Sequence, residues 1–222
     1  MPILTYVFDI SIHTAISAAM FGYIFSGFVG ALIYSQKGSI NWFLALWLIL
    51  GGMPGAFFGA LLSSQMSGIM LEVIIAFLII FAGIKPFVGS TKVFSSDKFL
   101  KPIPLIVVGF VTGIGSALTG TGGPLLLVPI LVTYKVAAHT AIGLSQAIQL
   151  PVATLATISN YLFSEINFVL SIIIALGLSI GGIIGAKLAH KISSAMMTII
   201  LGWVLLFVGV FIIGKLSLQN LI

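Results

Sequence analysis

The residues with the means to bind a ligand lie in the stretch Gly109 to Leu131, GFVTGIGSALTGTGGPLLLVPIL, and in the run that follows it. The stretch is too apolar for a solvent loop. Yet it holds six glycines together with Pro124 and Pro129, which an uninterrupted helix tolerates poorly. It predicts a helix broken inside a membrane, where bare backbone is allowed only if it is buried in protein or lines a cavity. Where a helix restarts after such a break, its first N–H groups lack helical partners and carry partial positive charge. Thr119, Gly120, Thr121, Gly122 and Gly123 could therefore hold an anion through the backbone. The competing reading is that these glycines only let helices pack closely. Packing is the preferred reading for Gly51, Gly55, Gly59, Gly177, Gly181 and Gly185.

The next apolar run carries Thr140, Ser145, Gln146, Gln149, Thr154, Thr157 and Asn160. Ser145 and Gln149 are four apart and share a helix face, with Gln146 beside them. Two glutamines deep in a span are costly unless they bond a neighbour or line water. We read Thr140, Ser145, Gln146 and Gln149 as lining a cavity at the break, with interhelical hydrogen bonding as the alternative. His13 and His139 begin equivalent helices beside Thr14 and Thr140, and a histidine near an anion could take up a proton and couple it to movement. The plainer reading places both as ordinary residues at helix starts. Three histidines without cysteines or clustered carboxylates make no metal site, and Asp9, Glu72, Asp97 and Glu165 form no acid–base pair. No nucleophile, base and orienting group can be assembled, so no enzyme is expected, nor any cofactor. The chain has no phosphate-binding P-loop, so any transport would be passive or ion-coupled.

The elements that must position these residues follow from composition. Of 222 residues, 60% are hydrophobic and 6% charged, with mean hydropathy +1.30. Apolar runs of spanning length recur along the chain, at about 14–34, 40–62, 69–87, 138–161, 166–188 and 195–214. This is an all-α, polytopic transmembrane protein whose partners are the lipid bilayer and a small anion, with a homo-oligomer also open. The formal charge of +5 would suggest nucleic acid in a soluble chain. Here all nine basic residues are lysines lying between apolar runs, where topology signals sit, so no nucleic-acid partner is expected. Without arginine an anion site must rely on backbone N–H groups, amides, hydroxyls, helix ends or lysine. The amino terminus has no basic leader and no small-residue cleavage site, so it does not read as a signal peptide.

The chain contains two copies of one unit. His13-Thr14-Ala15-Ile16 recurs as His139-Thr140-Ala141-Ile142, Ile40-Asn41 as Ile166-Asn167, and Gly51, Gly55, Gly59 and Ala60 as Gly177, Gly181, Gly185 and Ala186, all at one spacing. Pro2-Ile3-Leu4 matches Pro129-Ile130-Leu131 with one residue of slack. The expected division is a first transmembrane repeat over 1–88, a central polar loop over 89–102 and a second repeat over 103–222. In the first repeat only Met1 precedes Pro2, so its counterpart of the glycine break is missing. Either the start lies upstream or one break suffices.

The segment 103–133 is too long for one crossing and too short for two. If it dips in and returns, Lys37, Lys85, Lys92, Lys98, Lys101, Lys135, Lys187 and Lys191 share one side, which the positive-inside rule makes cytoplasmic, together with the central loop. The copies would then be inverted.

Gly109-Phe110, Gly113 and Gly120-x-Gly122-Gly123-Pro124, running on through Val128-Pro129-Ile130-Leu131, resemble the glycine signature of the sulfite exporter TauE/SafE family, also called toluene sulfonate uptake permeases. Ala141-Ile142-Gly143-Leu144-Ser145 is similar to that family's next element, with Leu144 where threonine is frequent. The resemblance implies a permease in the cell membrane for small sulfur-containing anions such as sulfite, thiosulfate or organosulfonates, and the mechanism expected from the residues is alternating access around an anion held by the glycine break and the polar face of the next helix. A non-transporting scaffold or an inactive, truncated permease is the alternative. The inverted arrangement predicts that a reporter fused after Ile222 reads the side opposite one inserted in the 89–102 loop. A cytoplasmic reading at Ile222 would sink it.

Overall fold

The computed structural model describes residues 2–88, 101–134, 136–164, 166–189 and 191–219, and among these residues the regular structure is helical throughout. The helices are α1 (Pro2–Tyr6), α2 (Ile12–Gln36), α3 (Trp42–Gln65), α4 (Gly68–Val88), α5 (Pro102–Thr119), α6 (Pro124–Thr133), α7 (Ala138–Phe163), α8 (Phe168–Ala189) and α9 (Ser194–Gln219). Residues 89–100 of the expected central loop lie outside the described residues. Five helices, α2, α3, α5, α7 and α8, are long and apolar enough to cross a membrane, and α4 and α9 carry shorter apolar stretches. The chain is a multi-pass membrane protein.

Local chemistry sets the helix starts. Asn41 Oδ1 accepts from the N–H groups of Phe43 and Leu44 at 3.1 and 3.2 Å, capping α3, and Asn167 Oδ1 accepts from Leu170 N–H at 3.0 Å, capping α8. Ser67 and Ser193 do the same for α4 and α9, accepting from Met70 and Met196 N–H at 3.4 and 3.3 Å. These caps fall at the spacing that relates His13 to His139.

Short connections make consecutive helices antiparallel, and side-chain contacts give the remaining directions. Gly27 of α2 lies against Gln149 and Leu150 of α7, and Gly30 against Gln146, so the numbering rises on one helix as it falls on the other. Thus α2 and α7 are antiparallel. α4 and α9 are also antiparallel, because Gly83 meets Leu206 while Gly209 meets Ile80. By contrast α3 runs parallel to α7, with Gly52 on Val152 and the Ser159 hydroxyl donating to the Phe57 carbonyl at 3.1 Å. α8 runs parallel to α2, with Gly22 on Ala175 and Gly182 beside Ser26.

The glycines of α3 decide how closely α5 approaches. A Cβ on Gly51, Gly55 or Gly59 would run into the backbone of Ile106, Phe110 or Ile114, and Gly109 and Gly113 of α5 face the carbonyls of Leu48 and Gly52. The two helices therefore run parallel with their backbones in contact. α6 then turns back along α5: Gly115 faces Leu126, while Leu105 shares one buried cluster with Leu127, Leu131, Tyr34, Ile40, Leu44 and Leu144. The 102–133 segment is a hairpin whose two ends lie at the same end of the bundle. Lys37, Lys101, Lys187 and Lys191 stand at helix ends on that side. A second cluster joins Ile12, Ile16, Leu71, Ile75, Ile79 and Ile212, tying α2 to α4 and α9.

Gly55→Val places its side chain on the Phe110 carbonyl and must push α5 away. The expected cost is about 1–3 kcal/mol, typical of overpacking, read as a fall in the melting temperature of the detergent-solubilised protein.

Candidate functional site

α5 ends because its chain enters the left-handed region. Gly120 has φ 61° and ψ 33°, and its N–H and that of Thr121 return to the Ser116 carbonyl. Gly122 and Gly123 follow at φ 74° and 110°, values that side-chain-bearing residues rarely adopt. α6 begins at Pro124, whose missing N–H costs nothing at the first helical position. Helix geometry then leaves the N–H groups of Leu125 and Leu126 without an intrahelical carbonyl. Leu127 N–H is the first to close a turn, on the Gly123 carbonyl at 3.1 Å.

This turn is inside the bundle. Gly120, Gly122 and Gly123 are buried. The Tyr23 ring lies so close to Gly122 that a Cβ there would stand 2.7 Å from it, and Gly123 faces the Ser145 carbonyl and Ile148. Tyr23 sits near the middle of α2, and Ser145 and Ile148 lie towards the middle of α7. The positive end of α6 therefore points into the core of the bundle at mid-span.

The predicted site residues divide into three groups. Gly122, Gly123 and Ser145 come together at the turn, and Gln149 lies beside Gly27, one helical turn along α2 from Tyr23. Gln149 is 1% exposed, and its Oε1 has no hydrogen-bond partner among the described residues. Gln146 is pressed against Gly30. The hydroxyls make a second group, already engaged. Thr119 Oγ1 donates to the Gly115 carbonyl at 2.6 Å and lies 2.7 Å from Thr121 Oγ1, and Ser145 Oγ donates to the Ile142 carbonyl at 2.8 Å. Those protons would have to be released to serve a ligand.

The third group stands apart. Thr140 and His139 are in the first turn of α7, about 13–15 Å along the helix axis from Gln149. The His139 Nε2 atom lies 3.3 Å from the Ala189 carbonyl, at the end of α8. His13 occupies the matching first turn of α2. A depression of about 430 Å³ lined by Thr14, Ile166, Asn167, Phe168 and Val169 contains none of the residues at the turn.

Two residues at the site escaped the sequence reading. Ser116 Oγ is buried with no hydrogen-bond partner among the described residues, one turn before Thr119, and Tyr23 packs on Gly122. The signal for Tyr23 was available, because the spacing that pairs His13 with His139 also pairs Tyr23 with Gln149. Among the described residues no group of histidine, aspartate or glutamate could hold a metal.

A helical bundle enclosing an interrupted helix, with polar groups at mid-span, defines a membrane-transporter class of fold. The chain belongs to the sulfite exporter TauE/SafE family, whose model matches residues 1–212. It is similar to "Probable membrane transporter protein YdhB" of Bacillus subtilis, 24% identical over 196 residues, covering 85% of this chain and 79% of that protein. It is also similar to "Probable membrane transporter protein MJ0441" of Methanocaldococcus jannaschii, 22% identical over 228 residues, covering 96% and 85%. A third relative, "Probable membrane transporter protein YunE" of Bacillus subtilis, is 23% identical over 221 residues, covering 90% and 81%. No solved structure matches the chain.

Gly122→Ala combines a left-handed residue, costing about 1–2 kcal/mol, with a methyl group against the Tyr23 ring. Truncating Tyr23 to alanine in the same chain should recover only the steric part. A double-mutant cycle on thermal stability separates the two contributions.

Proposed function

We propose that this protein is a secondary transporter that moves small anions, sulfur-containing ones foremost, by alternating access around the turn at Gly120–Gly123. The observation that carries this reading is the start of α6 buried at mid-span, with N–H groups that no helical carbonyl can reach. An anion with several equivalent oxygens, such as sulfite, thiosulfate or a sulfonate, can accept from several backbone donors at once. Gln149 adds an amide whose oxygen is unpartnered among the described residues. Its NH₂ group can donate to the same anion. With no arginine in the chain and the described lysines at helix ends, recognition falls to dipoles. Dipoles favour a weakly hydrated anion and let it leave again.

The two halves supply a route for alternation. α2 and α7 carry equivalent residues and run antiparallel, and so do α4 and α9. An inverted pair of this kind can exchange conformations across the membrane plane, opening the turn first to one side and then to the other. The lysine-bearing end of the bundle and the 89–102 loop are assigned to the cytoplasm by the positive-inside rule. His13 and His139 stand at helix ends, where a proton taken from one side could bias the exchange.

Purified protein in liposomes tests this directly. Saturable uptake of sulfite, thiosulfate or sulfoacetate, not matched by phosphate or acetate, is the expected result, measured with and without a pH gradient. Gln149→Leu removes a buried polar group that costs stability when unpaired, so it should fold as well as the parent, within about 1 kcal/mol. It should also lose most of the uptake. A folded protein that moves none of these anions would end the proposal, and a Gln149→Leu variant with full uptake would remove that residue from the site.

A further inference from the structure

The antiparallel seam between α2 and α7 runs well past the glycine turn. Gly30 meets Gln146 and Gly27 meets Gln149, and farther along Met20 and Ala156 share one buried cluster. One helical turn beyond that cluster, on the same face of each helix, stand Ser17 of α2 and Asn160 of α7. They are 1% and 2% exposed, and neither Ser17 Oγ nor Asn160 Nδ2 has a hydrogen-bond partner among the described residues. Ser159, next to Asn160, is engaged elsewhere, donating to the Phe57 carbonyl of α3.

Two observations argue against a pair that serves packing alone. Thr112, Thr119, Ser145 and Thr154 each donate to a carbonyl three or four residues back on their own helices. The His13 carbonyl stands in the same relation to Ser17, yet the Ser17 hydroxyl is not bonded to it. The seam also closes at its other end without such groups. The spacing that pairs His13 with His139 pairs Ser17 with Gly143 and Tyr34 with Asn160. By the same register Tyr34 falls opposite Gly143, and there Tyr34 belongs to the buried cluster of Leu127, Leu131 and Leu144. An aromatic ring and a glycine are enough to close the seam.

What the pair can hold follows from its donors. The Asn160 amide nitrogen carries two N–H groups and Ser17 a hydroxyl, and neither residue is charged, so their partner is an acceptor with several oxygens. The surface is close by. Thr14, one turn before Ser17, lines the depression of about 430 Å³ together with Asn167 and Phe168. In the other direction Gln149 lies about 16 Å along α7 from Asn160, with Thr157 Oγ1, buried and also without a partner among the described residues, between them. We propose that Ser17 and Asn160 form a second oxyanion station on the α2–α7 seam, between this depression and the glycine turn, at the end of the bundle opposite Lys37 and Lys101. It rests on the anion-transport reading above and adds a site which that reading does not contain.

Equilibrium binding of radiolabelled thiosulfate, and separately of sulfite, to the purified protein tells the two stations apart. The parent should bind two ions per chain, and Gln149→Leu and Asn160→Leu one each. Asn160→Asp keeps the shape but sets a carboxylate against the anion, so it should also bind one. Ser17→Ala removes a single oxygen without altering α7, and should weaken the second ion about tenfold, as expected for one hydrogen bond to a charged group. These variants should melt close to the parent, because the atoms they remove have no protein partner to lose. A parent that binds one ion, lost in Gln149→Leu and kept in Asn160→Leu, would overturn the second station and leave the transporter reading standing. Two ions retained by both Asn160→Asp and Ser17→Ala would do the same. A folded parent that binds neither anion would end both.

Discussion

Hydrocarbon offers no hydrogen-bond partner to a peptide group, and this constraint governs the whole molecule. A helix may be interrupted inside a membrane only where protein surrounds the interruption. The chain breaks at Gly120–Gly123, where three of four residues are glycines with positive φ, and the rest of the bundle encloses that turn. α2 brings Tyr23 against it, α7 presents the Ser145 carbonyl and Ile148, and α5 is held flush to α3 so that the turn sits between helices. The hairpin return of α6 follows from the same requirement, since a chain that has stopped being helical at mid-span must become helical again at once.

Close approach is achieved by removing side chains. Where α2 meets α7, glycines at 27 and 30 let Gln149 and Gln146 lie against the α2 backbone; where α3 meets α5, glycines on both helices bring carbonyls onto glycine Cα atoms. Contacts of this kind hold helices together without a hydrophobic driving force, which lipid cannot supply between apolar surfaces. They also fix the register, because a shift by one residue would put a side chain where only hydrogen fits.

Polar groups are retained in this core at a cost. Gln149 Oε1, Ser116 Oγ, Asn160 Nδ2 and Thr157 Oγ1 are buried with no hydrogen-bond partner among the described residues. Apolar substitutes of similar shape would pack as well and remove the penalty. Gln149 lies against Gly27 of α2 and Ser116 stands one turn before Thr119, whereas Thr119 and Ser145 have satisfied themselves on their own helices.

Much of this was legible in the residues alone. Apolar run lengths placed the long helices, because a bilayer of given thickness demands spans of given length. The glycines and prolines of 109–131 marked the break because backbone conformation there is a local property. Tertiary structure alone decided which glycines touch anything: Gly55 and Gly181 occupy the same place in the repeated sequence, yet one meets the α5 backbone and the other meets nothing. It also decided that Tyr23, from a distant helix, closes on Gly122, and that His139 stays by the end of α8 instead of at the turn. Conformation is written residue by residue, but contact depends on which surface the folded chain brings opposite, and identical residues recurring at one spacing cannot record that difference.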